Sequence, residues 1–160
     1  MKKIFICLFI IFLSNIVSAQ RLSTTFLKDF TRWTISDFSF NTSFQNDWDN
    51  WRCNGTIIRT TFSDDWDSWK IGNDVQLKTT FFNDFESWEI KGHGKTIYVK
   101  TTFSSDYERW NISGDADGTI RTVFSKDFEK WEFDFPDDLE DDLKMAIIFT
   151  AIITTFHVVQ

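Results

Sequence analysis

One eight-residue pattern, Phe-x-x-Asp-aromatic-x-x-Trp, recurs six times along this 160-residue chain. The copies are Phe26-Asp29-Phe30-Trp33, Phe44-Asp47-Trp48-Trp51, Phe62-Asp65-Trp66-Trp69, Phe81-Asp84-Phe85-Trp88, Phe103-Asp106-Tyr107-Trp110 and Phe124-Asp127-Phe128-Trp131. Successive Asp residues lie 18, 18, 19, 22 and 21 positions apart. All eight Trp belong to the pattern, as do eighteen of the 26 aromatics beyond residue 19. A repeat of this period marks a fold built from one supersecondary unit, whose copies share a continuous core.

The residues ahead of each Phe alternate in polarity, as in a half-buried strand. Val75, Leu77, Thr79 and Phe81 share one face, as do Ile97, Val99, Thr101 and Phe103. Phe38, Phe40, Thr42 and Phe44 repeat this in the second copy. A Thr stands two before the Phe in every copy: Thr24, Thr42, Thr60, Thr79, Thr101 and Thr122. The opposite face is polar, with Arg59, Lys78, Lys100 and Arg121 at one equivalent position. Beyond the Phe the spacing becomes i, i+4, i+7, as in Phe62, Trp66 and Trp69. This predicts a single helical turn capped by Ser63, Asn83 or Ser104. Alternation then resumes through Trp69/Ile71, Trp88/Ile90, Trp110/Ile112 and Trp131/Phe133. Each unit reads strand, helical turn, strand.

Turn chemistry joins the copies. Asn54-Gly55 is a two-residue hairpin signal; Gly72-Asn73-Asp74, Gly92-His93-Gly94 and the stretch 113–118 are longer versions. Connections this short imply antiparallel neighbours, because parallel strands need long crossovers. The sum is a meander of about twelve strands over residues 20–135, one apolar face of which must be covered.

The tail supplies a cover. Residues 136–142 carry Pro136 and a run of acids suited to a helix start. Met145 to Val159 is apolar all round, relieved by Thr150, Thr154, Thr155 and His157. A helix with no polar face is buried in protein or in lipid. Its fifteen residues span about 22 Å, short of a hydrocarbon core of about 30 Å. Twelve strands about 4.8 Å apart and tilted about 40° close at a radius of roughly 12 Å, room for one helix on the axis. The expected fold is mainly β, a twelve-stranded antiparallel barrel around the C-terminal helix, with 136–160 part of the same domain. This layout resembles the Tubby, phospholipid-scramblase and LURP-one-like barrels. The likeness is one of architecture, and no functional residue follows from it. An open curved sheet covered by the helix, or a β-solenoid, are the alternatives.

Residues 1–19 read as a secretory signal peptide. Lys2 and Lys3 precede an unbroken apolar run from Ile4 to Leu13, and Val17-Ser18-Ala19 sets a cut before Gln20. Removing it takes the net charge from −7 to −9 (15 basic against 24 acidic residues), which excludes a nucleic-acid binder relying on a basic face. It also leaves Cys53 as the only Cys, so no internal disulfide can form.

Candidate sites each have a structural counterpart. The six motif Asp residues could be catalytic or metal-binding, but an Asp repeated beside a turn most simply accepts backbone or indole N–H bonds. The Trp-rich face could stack sugars, but Phe, Trp and Ile fall together on the alternating apolar face, which predicts core packing. Tyr98 is then the clearest exposed aromatic. Asp115-Ala116-Asp117-Gly118 and the acids of 137–142 lack the full ligand set of a calcium loop. His93 lies between two glycines in a loop, His157 lies in the apolar tail, and Cys53 reads as a small core residue. No catalytic or cofactor motif is present. The expectation is an exported binding or structural module without enzymatic activity or cofactor, periplasmic or extracellular, with ligand and partner open. A membrane-associated protein using the C-terminal helix, touching lipid through its basic wet face, is the first alternative. A glycan-binding or glycan-active protein is the second.

Overall fold

A computed structural model describes residues 19–44 and 47–159. The expected signal peptide, apart from Ala19, lies outside the described residues. Twelve strands follow in hairpin order. They are β1 (Gln20–Thr24), β2 (Arg32–Ile35), β3 (Phe38–Thr42), β4 (Asn50–Cys53), β5 (Thr56–Thr60), β6 (Ser68–Ile71), β7 (Val75–Thr79), β8 (Ser87–Gly92), β9 (Lys95–Thr101), β10 (Arg109–Gly114), β11 (Gly118–Thr122) and β12 (Lys130–Asp134). Among the described residues one helix, α1 (Asp141–Val159), follows the last strand.

Every strand pairs antiparallel with its sequence neighbours, and β12 pairs with β1, so the sheet is a closed barrel. Closure leaves no free strand edge. The seam is also bridged by charge. Glu132 on β12 takes Arg21 of β1 and Arg121 of β11, each at 2.8 Å, and these two guanidinium groups hold its carboxyl below the usual range.

Alternation decides what lines the bore. The motif tryptophans 33, 51, 69, 88, 110 and 131 point inward and are fully or almost fully buried, joined by Leu22, Ile58, Leu77, Ile97, Val99 and Ile120. Arg59, Lys100 and Arg121 face solvent, and Lys78 pairs with Glu89 at 3.2 Å. Helix α1 fills the bore and has thirteen buried residues. Phe149 sits among Phe40, Trp51 and Trp69, with ring centroids 6.3, 5.7 and 4.9 Å away. Two helix hydroxyls turn back to their own backbone, Thr150 to the Ile147 carbonyl and Thr155 to that of Ala151.

The two barrel ends differ. At the hairpin end the joints vary in length. Asn54-Gly55 and His93-Gly94 turn in two residues with positive φ at both, the arrangement a twisted hairpin favours. The stretch expected as a polar hairpin is a three-residue joint, 115–117, where the Asp115 carboxylate accepts the Thr96 N–H at 2.7 Å. The acidic segment before and at the start of α1 is clamped there too: Glu140 pairs with Lys95, and Asp142 pairs with His93, both at 2.8 Å. At the opposite end all six connections are the eight-residue motif.

The motif itself corrects two expectations. It contains no helical turn; two tight turns follow one another between the strands. The first is closed by the motif Asp N–H donating to the Phe carbonyl at 3.0–3.2 Å in all six copies. Spacing of i, i+4, i+7 suits this double turn as well as a helix, which misled the periodic reading. Ser63, Asn83 and Ser104 accordingly cap no helix. The second correction concerns Phe26, Phe44, Phe62, Phe81, Phe103 and Phe124. They were expected on the dry face, yet they are 59–72% exposed. The strand ladder ends before the Phe, so the alternation that would turn it inward ends too. The aromatic four residues later takes the inward place, because Phe30, Trp48, Trp66, Phe85, Tyr107 and Phe128 pack against the core.

Candidate functional site

Each motif connection is held by the same set of bonds. One carboxylate oxygen of the motif Asp accepts the N–H two residues on, at 3.0–3.2 Å, in all six copies: Asp29, Asp47, Asp65, Asp84, Asp106 and Asp127. The indole N–H of Trp33, Trp51, Trp69, Trp110 and Trp131 donates to the carbonyl three residues back, at 2.7–3.1 Å. The Trp88 indole is buried without an acceptor among the described residues. The motif Asp residues are thus engaged in local backbone geometry.

A further residue class escaped the sequence reading. Two positions after the motif Asp stand Asp49, Asp67, Glu86, Glu108 and Glu129. Each carboxylate reaches across to the next repeat and accepts a backbone N–H in its first turn: Asp64, Asn83, Ser105, Lys126 and, closing the circle, Lys28, at 2.7–3.1 Å. These five donor residues have φ of +57 to +60°, a left-handed conformation costly for a side-chain-bearing residue. The backbone carbonyl at the same position takes the N–H of the Thr two before the next Phe, in all six copies including Thr31. The signal was legible as an acid in five copies of six; Thr31 is the exception. At that seam lies an open cleft of about 830 Å³ lined by Thr25, Thr31, Arg32, Asn41 and Phe44 among others.

The ring of staples fixes what the rim presents. The motif connections have one length and one bonding scheme, so the six Phe stand at one level around the barrel axis. Leu27 and Phe82, each following a motif Phe, are 83% exposed. Inside this outer ring the core-facing aromatics surround the end of α1. Phe156 meets Phe30, Trp48 and Trp66, and His157 stacks on Phe85 at 4.4 Å with Tyr107 at its edge. Thr155 bonds the Phe128 carbonyl at 3.2 Å, so the helix end touches all six repeats. Val158 and Val159 are exposed at the centre. With about 150–250 Å² per aromatic side chain, the six Phe alone leave roughly 600–1,000 Å² of apolar surface in water.

The remaining candidates are placed as follows. Tyr98 is exposed on the barrel wall, as is Ile57. Cys53 is buried, and burial pushes its thiol up to about 12. His93 has a partner that its sequence neighbourhood could not reveal, since Asp142 lies 49 residues away; that carboxylate raises its affinity for a proton. Among the described residues no three His, Cys, Asp or Glu side chains are grouped to hold a metal ion. Neither a family model, a curated protein nor a solved structure matches this chain.

Proposed function

We propose that this chain is an exported, non-enzymatic binding module whose working surface is the phenylalanine-ringed end of the barrel. The observation that carries the reading is the sixfold exposure of the motif Phe. A fold that needed only a turn there could place Ser or Asn at each position at no cost to the core. Instead a large apolar side chain is kept in water six times, beside left-handed residues that add strain at the same end. Strain of this kind gathers where a surface is used. Export rests on the leader sequence, and β1 begins at Gln20, the residue after the expected cut.

The C-terminal helix is the barrel's plug, which leaves the rim as the apolar face open to a partner. A sugar platform draws no support from the indoles, since six of the eight are core and the other two pack against it. The test compares the purified protein with Phe62→Ser/Phe81→Ser/Phe103→Ser on a phenyl-substituted matrix and with an apolar reporter dye. The triple variant should fold normally by near-ultraviolet circular dichroism and lose most of the retention and dye signal. Equal retention of both proteins would show that this end is not an adhesive face.

A further inference from the structure

The partner of the rim can be named from its shape. We infer that the phenylalanine ring docks on the surface of a lipid bilayer, with the barrel axis upright and the Phe side chains inserted at the level of the head groups and upper acyl chains. This rests on reading the rim as the working face.

Geometry favours a fluid partner over a shaped one. Six equivalent points on a circle of roughly 12 Å radius stand about 12 Å apart. Aromatic rings in contact have centroids about 4.5–7 Å apart, and no motif Phe forms an aromatic pair with another among the described residues. The outer ring is therefore six separate anchors and not one packed patch. A folded protein, including a second copy of this chain, would need six matched sockets or would leave voids between the anchors. Lipid chains fill such gaps without any matching surface.

The rim also has the flatness that a bilayer requires. Its six connections have one length, and all variation in joint length is exiled to the opposite end. Carboxylate staples hold five of the six seams, and a backbone bond to the Thr two before the Phe holds all six. Six side chains at one level meet a plane together, and Val158 and Val159 complete the disc at its centre.

Polarity along the axis fixes the orientation. The hairpin end carries Asp115, Asp117, Asp137, Asp138, Glu140 and Asp141, which keeps that end in water. The motif end carries acids too, but eleven of them each accept a backbone N–H there, and Lys28 and Lys126 stand beside them on adjacent repeats. The exposed Phe side chains are thus confined to the motif end, an apolar rim at one end only, the arrangement of a protein that lies on a membrane without spanning it. With a net charge of −9 once the leader is removed (15 basic against 24 acidic residues), attachment is driven by apolar insertion and gains little from anionic lipid.

The test is flotation of the purified protein with phosphatidylcholine/phosphatidylethanolamine vesicles, with and without phosphatidylglycerol. The protein should float with the neutral vesicles. Each single Phe→Ser change on the rim should lower the partition coefficient about tenfold or more. Phe62→Ser/Phe81→Ser/Phe103→Ser should abolish flotation, and Tyr98→Ser on the wall should leave it unchanged. A wild-type protein that stays at the bottom of the gradient overturns the inference, as does a triple variant that floats equally well. If the wild type stays at the bottom but self-associates in sedimentation equilibrium, and the triple variant does not, the occupant is a second copy and the rim remains the working face. If neither vesicles nor self-association distinguish the two proteins, and the apolar matrix does not either, both readings fall.

Discussion

Phe149→Ala tests whether the C-terminal helix holds the barrel together. Phe149 is fully buried at mid-helix, against Phe40, Trp51 and Trp69. Withdrawing its ring gives up a transfer contribution of about 1.5–3 kcal/mol. The neighbours are a closed ring of strands that cannot collapse inward, so a cavity of roughly 100 Å³ remains, adding about 2 kcal/mol at ~24 cal/mol per Å³. The expected loss is about 3–5 kcal/mol, a third or more of the stability of a typical domain. The assay is urea unfolding followed by intrinsic tryptophan fluorescence. Six of the eight indoles line the core, so emission should report the barrel opening directly. With a slope of about 2 kcal/mol per molar urea, the midpoint should fall by about 2 M. Phe103→Ala, the same chemical change at the exposed rim, should move it by no more than about 0.5 kcal/mol. A Phe149→Ala variant within 1 kcal/mol of wild type, or a rim variant that costs as much, would refute the placement of the helix inside the barrel.

Four further outcomes follow from the staples, the buried thiol, the histidine and the leader. Glu108→Ala should cost about 1 kcal/mol, because it frees the left-handed Lys126 N–H, and Glu108→Gln should recover part of it; equal stability of all three by urea unfolding would remove the staple role. Cys53 should resist an aromatic disulfide reagent in the native state and react once urea opens the barrel; stoichiometric labelling of folded protein would contradict its burial. The His93–Asp142 pair holds the histidine protonated above its usual pKa of about 6.5. Its contribution is complete below that value and fades as pH rises through the raised folded value. The melting temperature of wild type should therefore drop more between about pH 6 and pH 8 than that of His93→Gln, and parallel profiles would discount the pair. Protein recovered from an exporting host should begin at Gln20 by intact mass, and retention of Lys2 and Lys3 would contradict cleavage.

The sequence made the scaffold readable because its information is periodic. Alternation identified Phe40, Leu77 and Val99 as inward, and the apolar tail from Met145 demanded a tube to occupy. The rim was misread for a reason visible at Phe62: hydrophobicity was taken as a sign of burial, yet this position lies past the last ladder bond, where alternation has no force. The carboxylate staples were missed because attention went to the invariant Asp. The variable Asp or Glu two residues on has a partner in the neighbouring copy, near in space and 15 to 19 residues away along the chain, or 101 for the pair that closes the ring. Pairings such as His93 with Asp142 depend on where α1 enters the bore, which no local pattern encodes.

A tube with a plug also restricts how many copies of the unit the chain can hold. One unit fewer would narrow the radius by about 2 Å and one more would widen it by about the same. In the first case α1 no longer fits, and in the second a gap surrounds it that neither water nor the existing side chains can fill cheaply. An open array can gain or lose units one at a time, but here the helix diameter selects six, and any duplication or loss would have to arrive together with a remade tail.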